Sequence, residues 1–407
     1  MGICRLSKRE GASVKYKHVF LIPEGINDPT SGISVWFKSM AKKSKQNGNS
    51  IIVCQVSGKS DPESGHLSTD LLSLSSFSKC LVSVFSQNFI RKCFAKFHFD
   101  SSNLVNRIIG QGFNRVLIRE FRNKSCPLKI TVPLYGGIGS YLSRELPVEI
   151  ALMSSTTDVI EDMNLPKKTL ERKYLPRIKR EEQSLQRHSV VVGISESVIR
   201  KHTLQKSFQS SYIDSPRIED PIRFLHENRT TSHKLLPFKE RLNVILYIGR
   251  LETRKGSDFL LEIWRELNKT RSSELLLYLV GDSLEQQRSF IRDEAGIIAL
   301  GFVSEREKLS LIECAKCVLI PSRYESFGLV SIEAMSLGTP LIVSAVGGLQ
   351  DTSRQAKNII TCPVGDIRRF VESITHVLNS EDNWTDISVG LRNDYIKNFS
   401  YSEYNGA

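Results

Sequence analysis

The sequence contains no apolar run long enough to span a membrane, and residues 1–18 lack the apolar segment of a signal peptide. Of its 407 residues, 40% are hydrophobic and 25% are charged, the composition of an ordinary soluble protein. We therefore expect a cytoplasmic protein. Residues 1–15 are polar and basic, and we expect them to be disordered.

The sequence also lacks clusters of metal-ligating residues. Its eight cysteines are scattered, which predicts reduced and mostly buried thiols in this compartment. Cys314 and Cys317 form a lone pair with no second pair, so their spacing favours a place in a helix-to-strand junction over zinc binding. Because no set of clustered His and Asp residues is present, we expect no metal site.

Acidic residues are scarce in the first half of the chain. Residues 1–235 carry 36 Lys and Arg and 21 Asp and Glu, a net charge of +15, whereas residues 236–407 carry 20 and 23, a net charge of −3. This contrast, together with the length, predicts two domains with different partners. A basic first domain favours an anionic membrane surface or an acidic acceptor. Nucleic acid is not an expected partner, because neither zinc-finger spacing nor an aromatic-basic recognition stretch is present.

The first half of the chain has the pattern of alternating strands and helices. Apolar runs predict strands at 16–22, 50–56, 128–134, 148–153 and 190–194, the last of these closing the sheet of the first domain. The pattern indicates βαβ units in a doubly wound parallel sheet. Residues 71–99 are rich in Phe with interspersed Lys and Arg, and predict an amphipathic helix that lies on a membrane surface or packs in the core.

The most informative stretch runs from Pro321 to Gly338. The apolar run that precedes it predicts a buried strand, because Pro321 cannot continue a central strand. From Phe327 onward apolar residues recur at helical spacing, which predicts strand, loop and helix in succession. Such a loop lies at the carboxyl end of a parallel sheet, where the first amides of the helix are free to bind phosphate oxygens. Gly328 allows a close backbone approach.

Two carboxylates, Glu325 and Glu333, bracket this loop. They lie about two helical turns apart, roughly 12 Å, so they cannot act as a close acid and base pair. Either both are solvated surface residues, or they contact different parts of one ligand. A carboxylate that accepts hydrogen bonds from vicinal hydroxyls suits a ribose, and one at the loop tip suits a second sugar beyond a diphosphate. The ligand that this arrangement implies is a nucleotide-sugar.

Five motifs occur in a fixed order between residues 245 and 349. They are Ile-Leu-Tyr-Ile-Gly-Arg-Leu-Glu-Thr-Arg-Lys-Gly (245–256), Leu-Val-Gly-Asp (279–282), Leu-Gly-Phe-Val (300–303), Glu-Ser-Phe-Gly-Leu-Val-Ser-Ile-Glu-Ala-Met (325–335) and Ala-Val-Gly-Gly-Leu (345–349). In order and spacing they resemble the family-4 retaining glycosyltransferases, the glycosyl transferases group 1. The resemblance implies a GT-B fold, with two Rossmann-like doubly wound parallel-sheet domains facing a central cleft.

This resemblance also implies the function and the site. It implies metal-independent transfer, with retention, from a nucleotide-diphosphate sugar to a hydroxyl of a glycan or lipid-linked acceptor, with no cofactor besides this donor substrate. It places Arg250 and Lys255 on the diphosphate, Glu325 on the donor sugar and Glu333 on the ribose. The catalytic residues expected are Glu325, Arg250 and Lys255. The other expected donor-binding residues are Gly32, Gly301, Phe302, Phe327, Gly328, Leu329 and Glu333. Phe302 either flanks the nucleobase or lies in the core.

The predicted organisation follows the same resemblance. An acceptor-side domain spans 16–228, a linker 229–241, a donor-binding domain 242–385, and a tail with a shortened crossover helix 386–407. The basic first domain would allow peripheral attachment to a membrane.

The chain departs from the family pattern at two positions in the first domain. Gly32 stands alone where the resembled family has two adjacent glycines, and Met153 stands where it often has a His that faces the donor sugar. These departures motivate an alternative, a nucleotide-sugar-binding pseudoenzyme or scaffold with a degenerate catalytic site. A third reading is an electrostatic membrane or nucleic-acid binder that uses the basic half.

Overall fold

The chain forms two compact units, Met1–Pro216 and Arg217–Ala407. The computed structural model describes residues 16–22, 32–55, 111, 114, 117, 118, 127–134, 137–153, 155, 167–188, 190–203, 210–226, 235–270, 274–292, 294–379 and 384–401. The predicted disordered residues 1–15 and the predicted amphipathic helix at 71–99 lie outside the described residues. Within them, each unit contains a six-stranded parallel sheet with helices between the strands, which confirms the α/β class.

The sheet of the first unit has the strand order β2-β1-β3-β4-β5-β6. Its strands are β1 (Lys17–Ile22), β2 (Ser50–Gln55), β3 (Leu128–Pro133), β4 (Val148–Leu152), β5 (Val190–Gly193) and β6 (Ser210–Ile213). The helices whose full bounds lie within the described part of this unit include α1 (Gly32–Gln46), α2 (Lys167–Arg187) and α3 (Glu196–Thr203). The strands expected from the apolar runs all form, because these runs are β-branched and central parallel strands are buried on both faces.

Strand β6 corrects one prediction. The sheet does not end at residues 190–194, because Ser210–Ile213 pairs in parallel with β5. All four residues of β6 are exposed, and two of them are serines, so the segment lacks the apolar run that reveals a central strand. An edge strand needs only one paired neighbour and little apolar surface, which explains why its sequence is uninformative.

A polar network joins strands β1, β3, β4 and β6. Glu149 accepts hydrogen bonds from Thr131 Oγ1 at 2.5 Å and from Tyr212 Oη at 2.6 Å, and it contacts Lys129 Nζ at 3.1 Å and His18 Nε2 at 3.7 Å. Because the Thr131 proton goes to Glu149, His18 Nε2 must donate to Thr131 Oγ1, at 2.7 Å. The network therefore places the Nε2 hydrogen of His18 on Thr131 Oγ1, beside the Glu149 carboxylate.

The sheet of the second unit has the strand order β12-β11-β10-β7-β8-β9. Its strands are β7 (Leu242–Ile248), β8 (Leu276–Val280), β9 (Ile297–Gly301), β10 (Ala315–Ile320), β11 (Leu341–Ser344) and β12 (Ile360–Cys362). The helices are α4 (Pro221–Leu225), α5 (Ser257–Thr270), α6 (Leu284–Ile291), α7 (Glu305–Cys314), α8 (Leu329–Ser336), α9 (Gly347–Gln355), α10 (Ile367–Asn379) and α11 (Trp384–Phe399).

Segments that the sequence pattern assigns to a linker and a tail are packed in this second unit. Phe238, inside the expected linker 229–241, is buried and stacks on Trp384 with ring centroids 5.8 Å apart. The expected tail 386–407 begins inside α11, whose Tyr395 and Phe399 are fully buried. Both segments therefore contribute to the core of the unit that carries the glycine-rich loops.

Arg241 is a buried guanidinium that closes the ends of two helices. It donates to the carbonyl of Glu313 at 2.5 Å, near the end of α7, and to the carbonyl of Leu337 at 3.2 Å, just after α8. A further bond reaches Thr339 Oγ1 at 2.7 Å. Since the last carbonyls of a helix lack intrahelical donors and carry partial negative charge, one buried cation satisfies both helices.

Candidate functional site

The candidate site lies where the strand order of the second sheet reverses. From β7 the chain builds outward through β8 and β9 on one side, and through β10, β11 and β12 on the other. The loops after β7 and β10 therefore leave the sheet side by side at its carboxyl edge, the usual place for a ligand in an open parallel sheet. They touch directly: a Cβ on Gly256, which has φ +70°, would lie 1.9 Å from the carbonyl oxygen of Pro321.

The loop after β7 is held by two side chains. Tyr247 Oη donates to the carbonyl oxygen of Arg250 at 2.8 Å, and the next amide, that of Leu251, donates to Asp282 Oδ2 at 2.5 Å. One peptide group is thus fixed at both ends. The Arg250 side chain is 58% exposed, and its guanidinium contacts Glu252 Oε1 at 2.7 Å. Its backbone is positioned while its cation stays accessible to an anion.

Lys255 and Glu325 meet across the two loops. Lys255 Nζ lies 2.5 Å from Glu325 Oε2, with side chains that are 23% and 16% exposed. The residues are far apart in sequence, and the structure brings them together. A cation and a carboxylate that share one pocket can bind a phosphate and sugar hydroxyls of the same ligand.

Arg323 connects the two loops by hydrogen bonds, and the sequence pattern did not identify it. Its guanidinium binds both carboxylate oxygens of Asp258 at 2.5 Å and lies over the ring of Phe259, 3.6 Å from the centroid. It also donates to the carbonyl of Thr253 at 2.8 Å. A bidentate and stacked Arg is geometrically specific, so Arg323 fixes the turn that carries Lys255. The sequence signal that could have identified Arg323 was its charge, because it is the second charged residue, beside Glu325, in the stretch 321–325.

Helix α8 begins at the loop with an uncapped end. Its N-cap is Gly328, at φ 88° and ψ 62°, and it makes no side-chain capping bond. The amides of Leu329 and Val330 open the helix and have no intrahelical acceptor, so they are available to an anion. A Cβ on Gly328 would lie 2.5 Å from a methyl group of Leu349, which explains the glycine.

Phe327, an expected donor-binding residue, has a buried ring. Its side chain is 3% exposed and packs edge-on against Phe399 with centroids 6.0 Å apart. Only its backbone remains for a ligand contact, and the ring instead anchors the loop to α11.

The two glycines after β11, Gly347 and Gly348, pack against the backbone of Glu325. The amide of Gly348 donates to the carbonyl of Glu325 at 2.8 Å. A Cβ on Gly347, at φ +45°, would lie 2.3 Å from the same carbonyl, and one on Gly348 would lie 2.3 Å from Phe327 Cα. Side chains at these positions would push the Glu325 loop out of place.

Glu333 is buried one helical turn beyond the helix start. Its side chain is 12% exposed, and Oε1 contacts Lys308 Nζ at 2.9 Å. Burial raises the pKa of Glu333, and the charge of Lys308 opposes that rise. The solvated-surface reading of this residue is therefore wrong.

Gly301 ends β9 and Phe302 follows it, at the same edge of the sheet. Gly301 has φ +72°, and its amide donates to Gln287 Oε1 at 2.7 Å. Phe302 is 68% exposed, so it is not a core residue. An exposed ring at the carboxyl edge is available to stack on a planar group.

In the first unit, Gly32 is the first residue of α1, and Met153 directly follows β4. The loop that precedes Gly32 lies outside the described residues.

The described parts of the chain contain no group of three or more His, Cys, Asp and Glu side chains placed to hold a metal ion. The expected metal independence remains a prediction. None of the helices that the structure describes is long and apolar enough to cross a membrane.

Comparisons with known proteins agree with this geometry. Residues 228–399 match the family described as "Glycosyl transferases group 1". An uncharacterized glycosyltransferase of Methanocaldococcus jannaschii is 31% identical over 147 residues, which cover 34% of this chain and 37% of that protein. The chain thus matches little more than a third of the length of this curated relative.

Solved structures match over nearly the whole chain. Sucrose-phosphate synthase of Thermosynechococcus elongatus superposes with a TM-score of 0.67 at 18% identity, over 96% of each chain. An Anabaena protein solved in complex with UDP and glucose has a TM-score of 0.60 at 15% identity, over 96% of this chain and 97% of that one. The likeness confirms the GT-B fold of two Rossmann-like domains.

Proposed function

We propose that this chain is a retaining, hexosyltransferase-type glycosyltransferase that uses a nucleotide-diphosphate sugar and no metal ion. Its acceptor would be a hydroxyl of a glycan or a lipid-linked molecule. The observation that carries the proposal is the contact of Lys255 with Glu325 at the point where the strand order reverses. A nucleotide-sugar offers a phosphate to the lysine and sugar hydroxyls to the carboxylate. Each residue of the ion pair can therefore exchange its present partner for a group of the ligand.

The reaction needs help for the leaving diphosphate. As the bond between the anomeric carbon and the phosphate oxygen breaks, negative charge develops on that oxygen. Arg250 offers a planar fork of donors, Lys255 a compact charge, and the start of α8 two amides. Removal of one preorganised donor of this kind costs about 10²–10³ in rate. Arg250 would exchange Glu252 for the phosphate when the donor binds.

Retention follows if the acceptor attacks from the face that the diphosphate leaves. The acceptor oxygen bonds to the anomeric carbon, and the leaving phosphate oxygen takes the acceptor proton. No protein base is then needed. This route is compatible with Met153, because the side chain at that position would not have to accept the proton.

Nucleoside-diphosphate release from a panel of UDP-, GDP- and ADP-sugars tests the proposal. We expect release from one donor, and a loss of about 10²-fold or more in Arg250→Ala and Glu325→Ala. Arg265→Ala and Glu266→Ala are matched controls on α5, where Arg265 is 54% exposed and Glu266 is 50% exposed. Equal losses in controls and site variants would contradict the assignment.

A pseudoenzyme is the second candidate, and Met153 at the end of β4 motivates it. Binding of one nucleotide-sugar with no release in the presence of acceptor extracts would favour this alternative. Replacement of Met153 by His would then be expected to raise turnover, because it supplies the polar side chain that the resembled family often has there.

A further inference from the structure

The Glu333 carboxylate is bound at one oxygen only. Oε1 contacts Lys308 Nζ at 2.9 Å. Oε2 is buried, and no hydrogen-bond donor among the described residues reaches it. A buried acceptor without a partner is costly, and more so when it belongs to a charged group. The free oxygen therefore marks a place where a donor from a ligand is expected.

Lys308 is rigidly placed to hold the other oxygen. It lies on the first turn of α7, which begins with a capping box formed by Ser304 and Glu307. Glu305, one turn earlier, contacts Lys308 Nζ at 2.9 Å and is 45% exposed. Burial would lower the pKa of Lys308, but the two carboxylates raise it above its ordinary value, so the lysine stays charged.

The charge of Lys308 also influences whether the Glu333 carboxylate is ionised. Burial favours the protonated form of Glu333, and a protonated carboxyl group could offer a hydrogen as well as accept one. The charge of Lys308 beside Oε1 opposes the rise in the pKa of Glu333 that burial causes, and in the ionised form Oε2 is a pure acceptor. A hydroxyl is the matching donor, and in a nucleotide-sugar the ribose hydroxyls are the candidates.

We infer that Lys308 is a positioning residue, which holds Glu333 by Oε1 so that Oε2 accepts a ribose hydroxyl of the donor nucleotide. The inference rests on the proposed function. It adds that the preference for a ribonucleotide over its 2′-deoxy form depends on a lysine in a different helix from the carboxylate. Lys308 itself need not touch the nucleotide.

Calorimetric binding of UDP, GDP and ADP and of their 2′-deoxy forms tests this inference. For the diphosphate that binds, we expect the wild-type chain to prefer the ribose form about ten-fold or more, the worth of one hydrogen bond to a charged group. In Lys308→Met the preference should fall below about three-fold, while affinity for the 2′-deoxy form changes by less than about two-fold. Lys269→Met is the matched control, because Lys269 forms a similar helical pair with Glu266 on α5.

A double-mutant cycle separates positioning from a general structural role. If Lys308 acts through Glu333, then Lys308→Met adds no further loss of preference in a Glu333→Gln chain. If Lys308→Met alone fails to fold, the double variant should fold, because it leaves no unpaired buried carboxylate. Retention of the full preference in Lys308→Met, or an added loss in the Glu333→Gln background, would overturn the inference.

Failure of the proposed function has a different signature. It would appear in the wild-type chain as no binding of any of the three diphosphates, and it would overturn both proposals. Failure of the inference alone would appear as binding of a diphosphate by the wild-type chain without a preference for the ribose form, or in the variants as described above.

Discussion

At the scale of single residues, the burial of Glu149 and His18 makes the free energy of unfolding depend on pH. Burial alone would raise the pKa of Glu149, but its hydrogen bonds and the charge of Lys129 lower it to about 2. Burial lowers the pKa of His18 below its ordinary value of 6.5. Both groups hold protons less readily in the folded chain than in the unfolded one. Unfolding therefore takes up protons in acid, and the free energy of unfolding falls as the pH falls.

The pH windows differ for the two residues. The contribution of His18 is complete above pH 6.5 and is lost as the pH falls toward its lower folded pKa. The contribution of Glu149 is complete above pH 4.5 and is lost as the pH falls toward about 2. We expect Glu149→Gln to remove the lower window and to widen the upper one, because Glu149 raises the pKa of His18. Urea unfolding between about pH 3 and pH 7, followed by hydrogen exchange of a β4 peptide, measures both.

The control for this prediction is Glu145→Gln, an exposed carboxylate of the same unit. It should keep the acid dependence of the wild-type chain. If Glu149→Gln and the wild-type chain lose stability in parallel below pH 4.5, the network does not produce the lower window.

At the scale of elements, the ends of α7 and α8 depend on Arg241. Four carbonyls and one hydroxyl that accept hydrogen bonds from this guanidinium belong to residues near the two helix ends. Burial lowers its pKa to about 10, which still leaves it charged at neutral pH. Since α7 carries Lys308 and α8 carries Glu333, one side chain anchors both helices of the proposed ribose contact.

We expect Arg241→Met to lower the free energy of unfolding of the second unit by about 2–4 kcal/mol, because it leaves several buried carbonyls without a donor. Arg241→Lys should recover only part of this loss, because an ammonium lacks the planar fork of a guanidinium. Urea unfolding followed by hydrogen exchange of α7 and α8 peptides measures the change. The exposed Arg265 supplies the control, and Arg265→Met should stay within about 0.5 kcal/mol of wild type. A similar effect of both substitutions would refute the capping role.

At the scale of the whole molecule, charge is distributed unevenly along the chain. Residues 1–235 carry a net charge of +15 and residues 236–407 a net charge of −3. The glycine-rich loops and the paired Lys255 and Glu325 lie in the second unit, whereas the positive excess lies in the first half of the chain. An anionic surface, such as a membrane that holds a lipid-linked acceptor, is the partner that this charge predicts.

We expect the full chain to co-sediment with vesicles that contain phosphatidylserine and not with pure phosphatidylcholine vesicles. Because the attraction is electrostatic, binding should fall steeply as salt rises from about 0.05 M to about 0.5 M. Equal binding to both vesicles, or binding that salt does not weaken, would contradict an electrostatic attachment.

Much of the fold was predictable because its signals are local. The strand before Pro321 and the helix after Gly328 follow from an apolar run, a proline and helical spacing within one short stretch. The motifs at Arg250 and Glu325 identified the loops that meet at the candidate site. The exposed edge strand β6 was missed, because a strand with one neighbour needs no apolar run.

The sequence by itself determined the α/β class, the order of the elements and the residue types that the proposed chemistry needs, since each depends on a few consecutive residues. Tertiary structure alone decided which of these residues meet. It paired Lys255 with Glu325 and Lys308 with Glu333, buried the Phe327 ring and exposed Phe302. The physical reason is that ion pairing and burial depend on contacts between distant segments, which are set only when the sheet brings the carboxyl ends of its strands to one edge.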